Sequence, residues 1–288
     1  MSRAPAAADR GAAGLAVRAP GLWILAVPAV AFLIAFYVVP LLLLIVRGAD
    51  GAVPFGAVLE YLARPFGRRV VLNTLTYGLQ VTALCVVLGT AAAIGAWWAP
   101  PWVRNLVLVA AVVPLTAATI VKAFGWMILL RTNGVVAAAI EGLGLAEAPV
   151  RMLFTVPSLV LGTVNLLLPF VILPVYAVLS QVDRTLLGAA ATLGASPAAV
   201  LLRVILPLAA PGIVAGAVLV FTQTIAAYAI PTLLIGDRYP VLSRQAVSAY
   251  LVLFDDRRGA MLATVMITLA AAVIAAPALV RSLAGRLR

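Results

Sequence analysis

Six long runs of apolar residues constrain what this chain can fold into more than any other feature. They lie at about 22–46, 70–98, 105–130, 152–179, 212–235 and 259–280. A helix needs roughly 20 apolar residues to cross the hydrocarbon core of a bilayer, so each run is long enough to do so. Because lipid offers the backbone no hydrogen-bonding partner, a run inside it must be helical. We therefore predict an all-α polytopic membrane protein with six transmembrane helices.

The composition agrees with a membrane protein and limits its chemistry. Of the 288 residues, 65% are hydrophobic and 10% are charged, whereas soluble domains carry about 25% charged residues. The net charge of +11 is compatible with nucleic-acid binding. However, the arginines lie in tails and connections, which favours the flanks of membrane helices and lipid contact. With one cysteine, Cys85, and no histidine, we expect no intrachain disulfide, no metal site and no histidine-dependent catalytic triad.

The apolar runs divide the chain into four parts. We expect a disordered basic tail at 1–21, the first transmembrane helix with an outer loop at 22–69, a core of five transmembrane helices at 70–281 and a basic tail at 282–288. The first run is too long for a cleaved signal peptide, so we interpret it as a membrane span. Short amphipathic pieces are expected near Phe55–Leu62 and between Asn133 and Leu145.

The most punctuated segment lies at 183–212, between the fourth and fifth runs. Asp183 can cap a short helix that ends before Gly194, and Ser196 can cap a second helix. Pro197 would occupy the first turn of that second helix, where a missing N–H costs nothing. The segment therefore predicts a helix, a sharp turn and a second helix between two membrane spans.

Prolines are expected to interrupt the helices around this segment. Pro207 and Pro211 should break or bend the chain before the fifth span, and Pro231 should break that span itself. In the fourth span, Pro157, Pro169 and Pro174 should kink the helix and free backbone carbonyls for other partners.

The punctuated segment also carries a spacing pattern that is similar to that of a known family. Along the chain, the pattern consists of Gly188-Ala189-Ala190, three residues, Gly194, nine residues, Val204, one residue and Leu206-Pro207. It resembles the signature loop of the inner-membrane permease subunits of binding-protein-dependent ABC importers, and the likeness extends from about Asn73 to the last run. Within that superfamily the chain is most similar to the spermidine/putrescine-type permeases. Gly188 stands where the family has Glu, so one carboxylate is missing from the loop.

The resemblance implies a fold, a location and a set of partners. It implies a type I ABC importer permease fold with a cytoplasmic coupling helix, in a bacterial inner membrane, with both termini cytoplasmic. Counts of basic residues on the two sides do not decide the orientation. The implied partners are a second permease subunit, identical or different, two ATPase subunits and a periplasmic solute-binding protein. ATP and Mg would bind the ATPases, and this chain would bind no cofactor. The residues expected at the ATPase contact are Gly188, Ala189, Ala190, Gly194, Ser196, Arg203, Leu206 and Pro207.

Polar residues inside the apolar runs are candidates for a solute pathway. They are Asn73, Gln80, Lys122, Asn165 and Gln223. Asn73 and Gln80 fall on one helical face, where they either form hydrogen bonds between helices or line the translocation path. Lys122 is the only lysine, and a charge in a span costs about 2.5–3.5 kcal/mol on insertion scales. It therefore either reaches the interface along its stem or, as the resemblance implies, lines the pathway.

A polyamine is the solute that the resemblance favours, and ferric ion, thiamine and an opine remain open. Catalysis by the chain itself is not expected, because a P-loop needs Gly-Lys-Ser/Thr and Lys122 is followed by Ala123. The alternative from another class is an ion-coupled secondary carrier. Such carriers need ionisable groups at mid-membrane, and only Lys122 qualifies here.

Overall fold

The computed structural model describes residues 22–49, 54–144, 151–183, 185–192 and 194–286, and every regular element in those ranges is a helix. The first seven helices are α1 (Leu22–Leu33), α2 (Val39–Ala49), α3 (Pro54–Ala63), α4 (Pro65–Trp98), α5 (Pro101–Thr116), α6 (Thr119–Leu129) and α7 (Val135–Gly142). The next seven are α8 (Val156–Leu167), α9 (Pro169–Leu179), α10 (Thr185–Thr192), α11 (Pro197–Ala226), α12 (Ala229–Leu234), α13 (Leu242–Leu251) and α14 (Asp256–Arg286). One π-helical segment, Ile34–Val38, joins α1 to α2, and another, Leu201–Ile205, lies within α11.

The helices confirm an all-α membrane protein but leave the number of spans between four and six. Within the described residues, four helices are long and apolar enough to cross a bilayer: Val27–Leu44, α4, α11 and the Asp256–Pro277 part of α14. Two further spans result if the bent pairs are each counted as one, and these pairs are α5 with α6 and α8 with α9. The predicted basic tail at 1–21 lies outside the described residues.

The chain divides into two compact units, residues 1–44 and 45–288. The described part of the first unit is the helix that begins at Leu22, in which the rings of Phe32 and Phe36 stack with their centroids 4.8 Å apart. The second unit contains every candidate site residue, and its core includes residues of α8 together with three central helices, α4, α9 and α11.

Glycines let the three core helices approach each other at backbone distance. A Cβ added at Gly89 of α4 would lie 2.8 Å from the Val171 Cβ atom, and one added at Gly216 of α11 would lie 3.0 Å from the Val171 Cα atom. At Gly212 an added Cβ would lie 2.7 Å from the Pro174 carbonyl oxygen. The spacing of Gly212 and Gly216 predicts such a small-residue packing face, and the structure confirms it.

The fifth span differs from the sequence prediction at both ends. It begins at Pro197 instead of residue 212, and Pro207 and Pro211 do not interrupt it. The π-helical segment just before Pro207 shifts the hydrogen-bond register, with the Leu206 N–H donating to the Leu201 carbonyl, and the helix continues past the proline. At the other end, the helix stops at Ala226, two residues before α12, so the break precedes Pro231 instead of falling on it.

The third span is not the single straight helix that was predicted for 105–130. Its two parts, α5 and α6, meet at an angle of 105°. Pro114 lies in the last turn of α5, and the ammonium of Lys122 donates a hydrogen bond to the freed Pro114 carbonyl. A donor supplied from α6 therefore completes the end of α5 and allows the bend. The kink predicted at Pro169 is confirmed, since α8 and α9 differ in direction by 40° there.

Several connections that were predicted as loops are partly helical. Helix α4 begins at Pro65, inside the predicted loop that ended at 69, with the proline in its first turn. The predicted loop at 236–258 contains α13, and α14 continues through the predicted tail at 282–288 as far as Arg286. The two short amphipathic pieces are confirmed as α3 and α7.

Candidate functional site

Residues 183–207, which we call the signature segment, form a capped helix, a glycine turn and the start of α11. The carboxylate of Asp183 accepts a hydrogen bond of 2.9 Å from the Thr185 backbone N–H, at the N-terminus of α10. That hydrogen bond stabilises the ionised carboxylate and holds the pKa of Asp183 below its ordinary value. The predicted Asp183 cap is therefore confirmed.

The turn between α10 and α11 depends on one glycine. Gly194 adopts φ +78°, a left-handed conformation that side chains disfavour, and the N–H of Ala195 donates to the Ala190 carbonyl at 3.1 Å. The Ser196 hydroxyl then accepts a hydrogen bond of 3.3 Å from the Ala199 N–H, with Pro197 in the first turn. The predicted second cap is therefore confirmed as well.

The predicted ATPase-contact residues differ in their exposure. Gly188, Ser196, Arg203 and Pro207 are exposed. Ala190 and Leu206 are half-buried and pack against the hydrophobic core, and the side chain of Ala189 lies outside what the structure describes. An atom added at Gly188 would meet nothing within 4 Å, so this position presents open space to a partner.

A rigid path leads from the signature segment into the core. Val200 and Ile205, in the first turns of α11, are buried within the core, and the same helix reaches α9 at Gly212 and Gly216. Because α11 meets the α9 backbone through glycines at these two contacts, no flexible side chain of α11 lies between the helices there to absorb a displacement. A push on the signature segment would therefore reach the centre of the second unit.

Near the N-terminal end of α4, Asn73 and its neighbour Thr74 hold an extended segment, residues 239–242, in place. The Asn73 amide donates to the Pro240 carbonyl at 3.1 Å, and the Thr74 hydroxyl accepts from the Leu242 N–H at 2.9 Å. The hydroxyl of Tyr239 donates to the Asn73 carbonyl at 3.1 Å. Asn73 and Thr74 therefore have a structural partner within the chain, the segment 239–242. No periodic pattern in the sequence pointed to that segment.

Four other polar residues inside the apolar runs also have partners within the chain. The buried hydroxyl of Tyr77 lies 2.6 Å from that of Thr163 and shares a hydrogen bond with it. The Asn165 side-chain oxygen accepts a hydrogen bond of 3.3 Å from the Trp126 indole N–H. Lys122 contacts the Pro114 carbonyl, a role that only the bend between α5 and α6 creates.

Gln80 and Gln223 differ from these residues because both are exposed and neither amide forms a hydrogen bond to another described residue. An amide in the hydrocarbon core is unfavourable unless it meets a polar partner or water. These two positions are therefore the candidate pathway residues that the fold leaves available. Among the described residues, no group of three or more His, Cys, Asp or Glu side chains forms a metal site.

Together these features define an all-α membrane protein with an exposed, capped helix attached to a core span. The family described as the binding-protein-dependent transport system inner membrane component matches residues 86–288, and this chain belongs to that family of transport permeases.

Curated relatives of the chain carry different solute names. The spermidine/putrescine permease PotB of Escherichia coli K12 is 34% identical over 177 residues, which is 62% of this chain and 64% of that protein. PotB of Haemophilus influenzae is 32% identical over 191 residues, covering 66% and 67% of the two chains. The molybdenum transport permease ModB of Azotobacter vinelandii is 32% identical over 174 residues, covering 59% and 74%. The chain thus spans about 64% of the length of the first relative.

Solved structures with the same fold are bacterial ABC transporters. A bacterial alginate ABC transporter in complex with an alginate pentasaccharide-bound periplasmic protein matches with a TM-score of 0.74 at 16% identity, over 88% of this chain and 91% of that one. A second ABC transporter, involved in alginate import, matches with a TM-score of 0.72 at 16% identity, over 92% and 95%. At this identity the likeness establishes the fold alone.

Proposed function

We propose that this chain is the membrane-spanning subunit of an ATP-driven importer, in which the signature segment receives force from a separate ATPase. The observation that carries the proposal is the geometry of residues 183–207. Helix α10 is exposed at Gly188, is fixed at both ends by Asp183 and Gly194, and continues into a span that is packed through its backbone. A docked helix of this kind transmits rigid-body motion.

The proposed assembly contains partners that supply what this chain lacks. It pairs this chain with a second permease subunit, identical or different, and with two ATPases that bind ATP and Mg on the cytoplasmic side. A periplasmic binding protein delivers the solute to the opposite side. Family membership and the solved relatives support this arrangement.

We propose a polyamine as the transported solute, with Gln80 and Gln223 facing the pathway or the second permease subunit. The similarity to PotB supports this choice. Relatives named for molybdenum and alginate transport show that the fold accommodates other solutes. Uncharged amides suit a pathway that must release a polycation, because a fixed carboxylate would hold it.

The proposal is tested by transport in proteoliposomes that contain the chain with a second permease subunit, an ATPase and a periplasmic binding protein of this family's importers. We expect uptake of labelled putrescine only when ATP is enclosed with the ATPase. An ion-coupled carrier would instead show uptake without ATP, driven by an ion gradient. ATP-dependent uptake of another solute, without putrescine uptake, would keep the permease assignment and reject the polyamine.

A tryptophan at Gly188 tests the docking role of α10. Because Gly188 has open space around it, the bulky side chain would not disturb the chain's own packing. We expect ATP-dependent uptake to fall about tenfold or more, as for a blocked interface centre. Gly56→Trp is the matched control. Gly56 also has open space around it, but it lies in α3, just before the N-terminal end of α4 and outside the signature segment. Full uptake by Gly188→Trp would contradict the docking role.

A further inference from the structure

A cavity of about 850 Å³ lies at the N-terminal end of α8, far from the signature segment. Helices α8 and α9, of 12 and 11 residues, separate the two regions by roughly 30 Å at 1.5 Å per residue. Three arginines line the cavity, Arg131, Arg151 and Arg238, together with the polar residues Thr132, Asn133 and Thr155. No carboxylate is among the described residues of its wall.

Backbone hydrogen bonds bring the three arginines together from separate connections. The Leu153 N–H donates to the Leu130 carbonyl at 3.2 Å, and the Phe154 N–H donates to the Leu234 carbonyl at 2.9 Å. These bonds join the turn after α6, the segment before α8 and the end of α12. Each arginine lies within four residues of one of these contacts, so the cluster is built by the fold.

One wall of the cavity is held in an unfavourable conformation. Phe154 adopts φ +64°, which is rare for a residue with a bulky side chain. The Arg238 guanidinium lies over the Phe154 ring, 5.4 Å from its centroid. Strained residues persist where the surrounding contacts determine them and are concentrated at functional sites.

The positive charge of the cavity is not neutralised within the described chain. None of the three guanidinium groups has an ion-pair partner there, and Asp237, next to Arg238, pairs with Arg244 at 2.6 Å instead. Like charges gathered in a concave site raise the local potential and attract anions. Guanidinium groups bind carboxylate and phosphate oxygens through paired hydrogen bonds.

We propose that this cavity binds a small molecule with two or more oxyanion groups, such as a polycarboxylate or a polyphosphate. Its volume falls within the range of about 300–1,000 Å³ that small-molecule sites occupy. The apolar wall, which includes Met127 and Leu153, suits a ligand with a carbon skeleton between its charged groups. The proposed ligand is different from the proposed transported solute, because the three arginines would repel a polyamine.

The direct test is a titration of the full-length chain in nanodiscs of zwitterionic lipid, with binding measured by isothermal titration calorimetry. The probes are citrate, tripolyphosphate and, as a cation, spermidine. We expect saturable binding of one anion per chain, weakened by added salt, and no binding of spermidine.

Variants separate the cavity from general surface charge. We expect Arg131→Gln and Arg151→Gln each to weaken anion binding about five- to tenfold. Arg238→Lys, which keeps the charge but not the paired donors, should have a smaller effect. Arg69→Gln is the matched control, since Arg69 is also exposed but does not line the cavity. Thermal unfolding of each variant checks that it is folded.

The remaining outcomes are decisive. Absence of saturable anion binding, or an equal loss in Arg69→Gln, would overturn the proposal. In nanodiscs that contain an anionic lipid, weaker citrate binding by the wild type would identify a lipid headgroup as a source of the same anionic chemistry. Arg131-dependent binding of the periplasmic binding protein without any citrate binding would assign the cavity to an acidic protein surface and reject the small-molecule ligand.

Discussion

Replacing Gly212 with alanine tests whether the backbone contact between α11 and α9 transmits force during transport. A Cβ added at Gly212 would lie 2.7 Å from the Pro174 carbonyl oxygen and 2.8 Å from the Val175 Cα atom. Both neighbours are backbone atoms of α9, which cannot rotate away as a side chain can. The two helices must therefore separate, or α9 must deform at the turn that contains Pro174.

Two opposing effects set the size of the expected change in the free energy of unfolding. Alanine is favoured over glycine in a helix interior by up to about 1 kcal/mol. Overpacking a close contact costs about 1–3 kcal/mol. Gly95 in α4 provides a matched control, because an added Cβ there meets no atom within 4 Å. Since both variants gain similar helix propensity, we expect Gly212→Ala to be less stable than Gly95→Ala by about 1–3 kcal/mol.

The assay is unfolding in mixed micelles with increasing SDS, followed by circular dichroism, for the wild type and both variants. ATP-dependent uptake in proteoliposomes is measured alongside. We expect Gly212→Ala to lose both stability and uptake, whereas Gly95→Ala retains both. Equal stability of the two variants would refute backbone contact between α11 and α9, and normal uptake by a destabilised Gly212→Ala would refute the transmission of force through that contact.

Three further predictions concern single side chains. Gly188→Glu should strengthen ATPase binding relative to Gly188→Gln in a pull-down titration, because it supplies a carboxylate in open space and both variants improve helix propensity by about 0.5 kcal/mol. Lys122→Met should destabilise the chain by about 1–3 kcal/mol in the SDS titration, because the Pro114 carbonyl loses its donor. Asp183 has a lowered pKa, so its cap stabilises α10 above the ordinary carboxyl pKa and is lost as the pH falls through the lowered value. ATPase binding to the wild type should therefore weaken in acid, whereas binding to Asp183→Asn should depend less on pH.

Local signals in the sequence were sufficient for the signature segment and the packing face of α11. Asp183, Gly194 and Ser196 act through neighbours within a few residues, so their roles follow from cap and turn chemistry. Gly212 and Gly216 follow from helical spacing alone. Contacts between distant parts of the chain were not predictable in this way. The pairing of Asn73 with Pro240 joins residues that are 167 positions apart.

The predicted helix boundaries were wrong where the local structure changed the effect of a proline. Pro207 was expected to interrupt the fifth span, but the π-helical segment before it changes the hydrogen-bond register. Pro114 was not expected to matter, yet with Lys122 it allows a bend of 105°. In both cases the proline lacks a backbone N–H that could donate a hydrogen bond. The outcome depends on whether another donor replaces that N–H, as Lys122 does, or whether the hydrogen-bond register changes around it.

The position of the glycine contact suggests how α11 transmits motion. At 1.5 Å per residue, Gly212 lies roughly 22 Å from the start of α11 at Pro197, and Gly216 lies roughly 15 Å from its end at Ala226. We infer that the contact with α9 acts as the pivot of a lever, so that a push near Pro197 moves the Ala226 end in the opposite direction by about two thirds as much. The segment 239–242, which follows α12, is held on α4 by Asn73 and Thr74. Because that end of α11 is connected through α12 to a segment tied to α4, its displacement must either move α4 or change the conformation of α12. Either response alters the end of the membrane core that lies away from the signature segment.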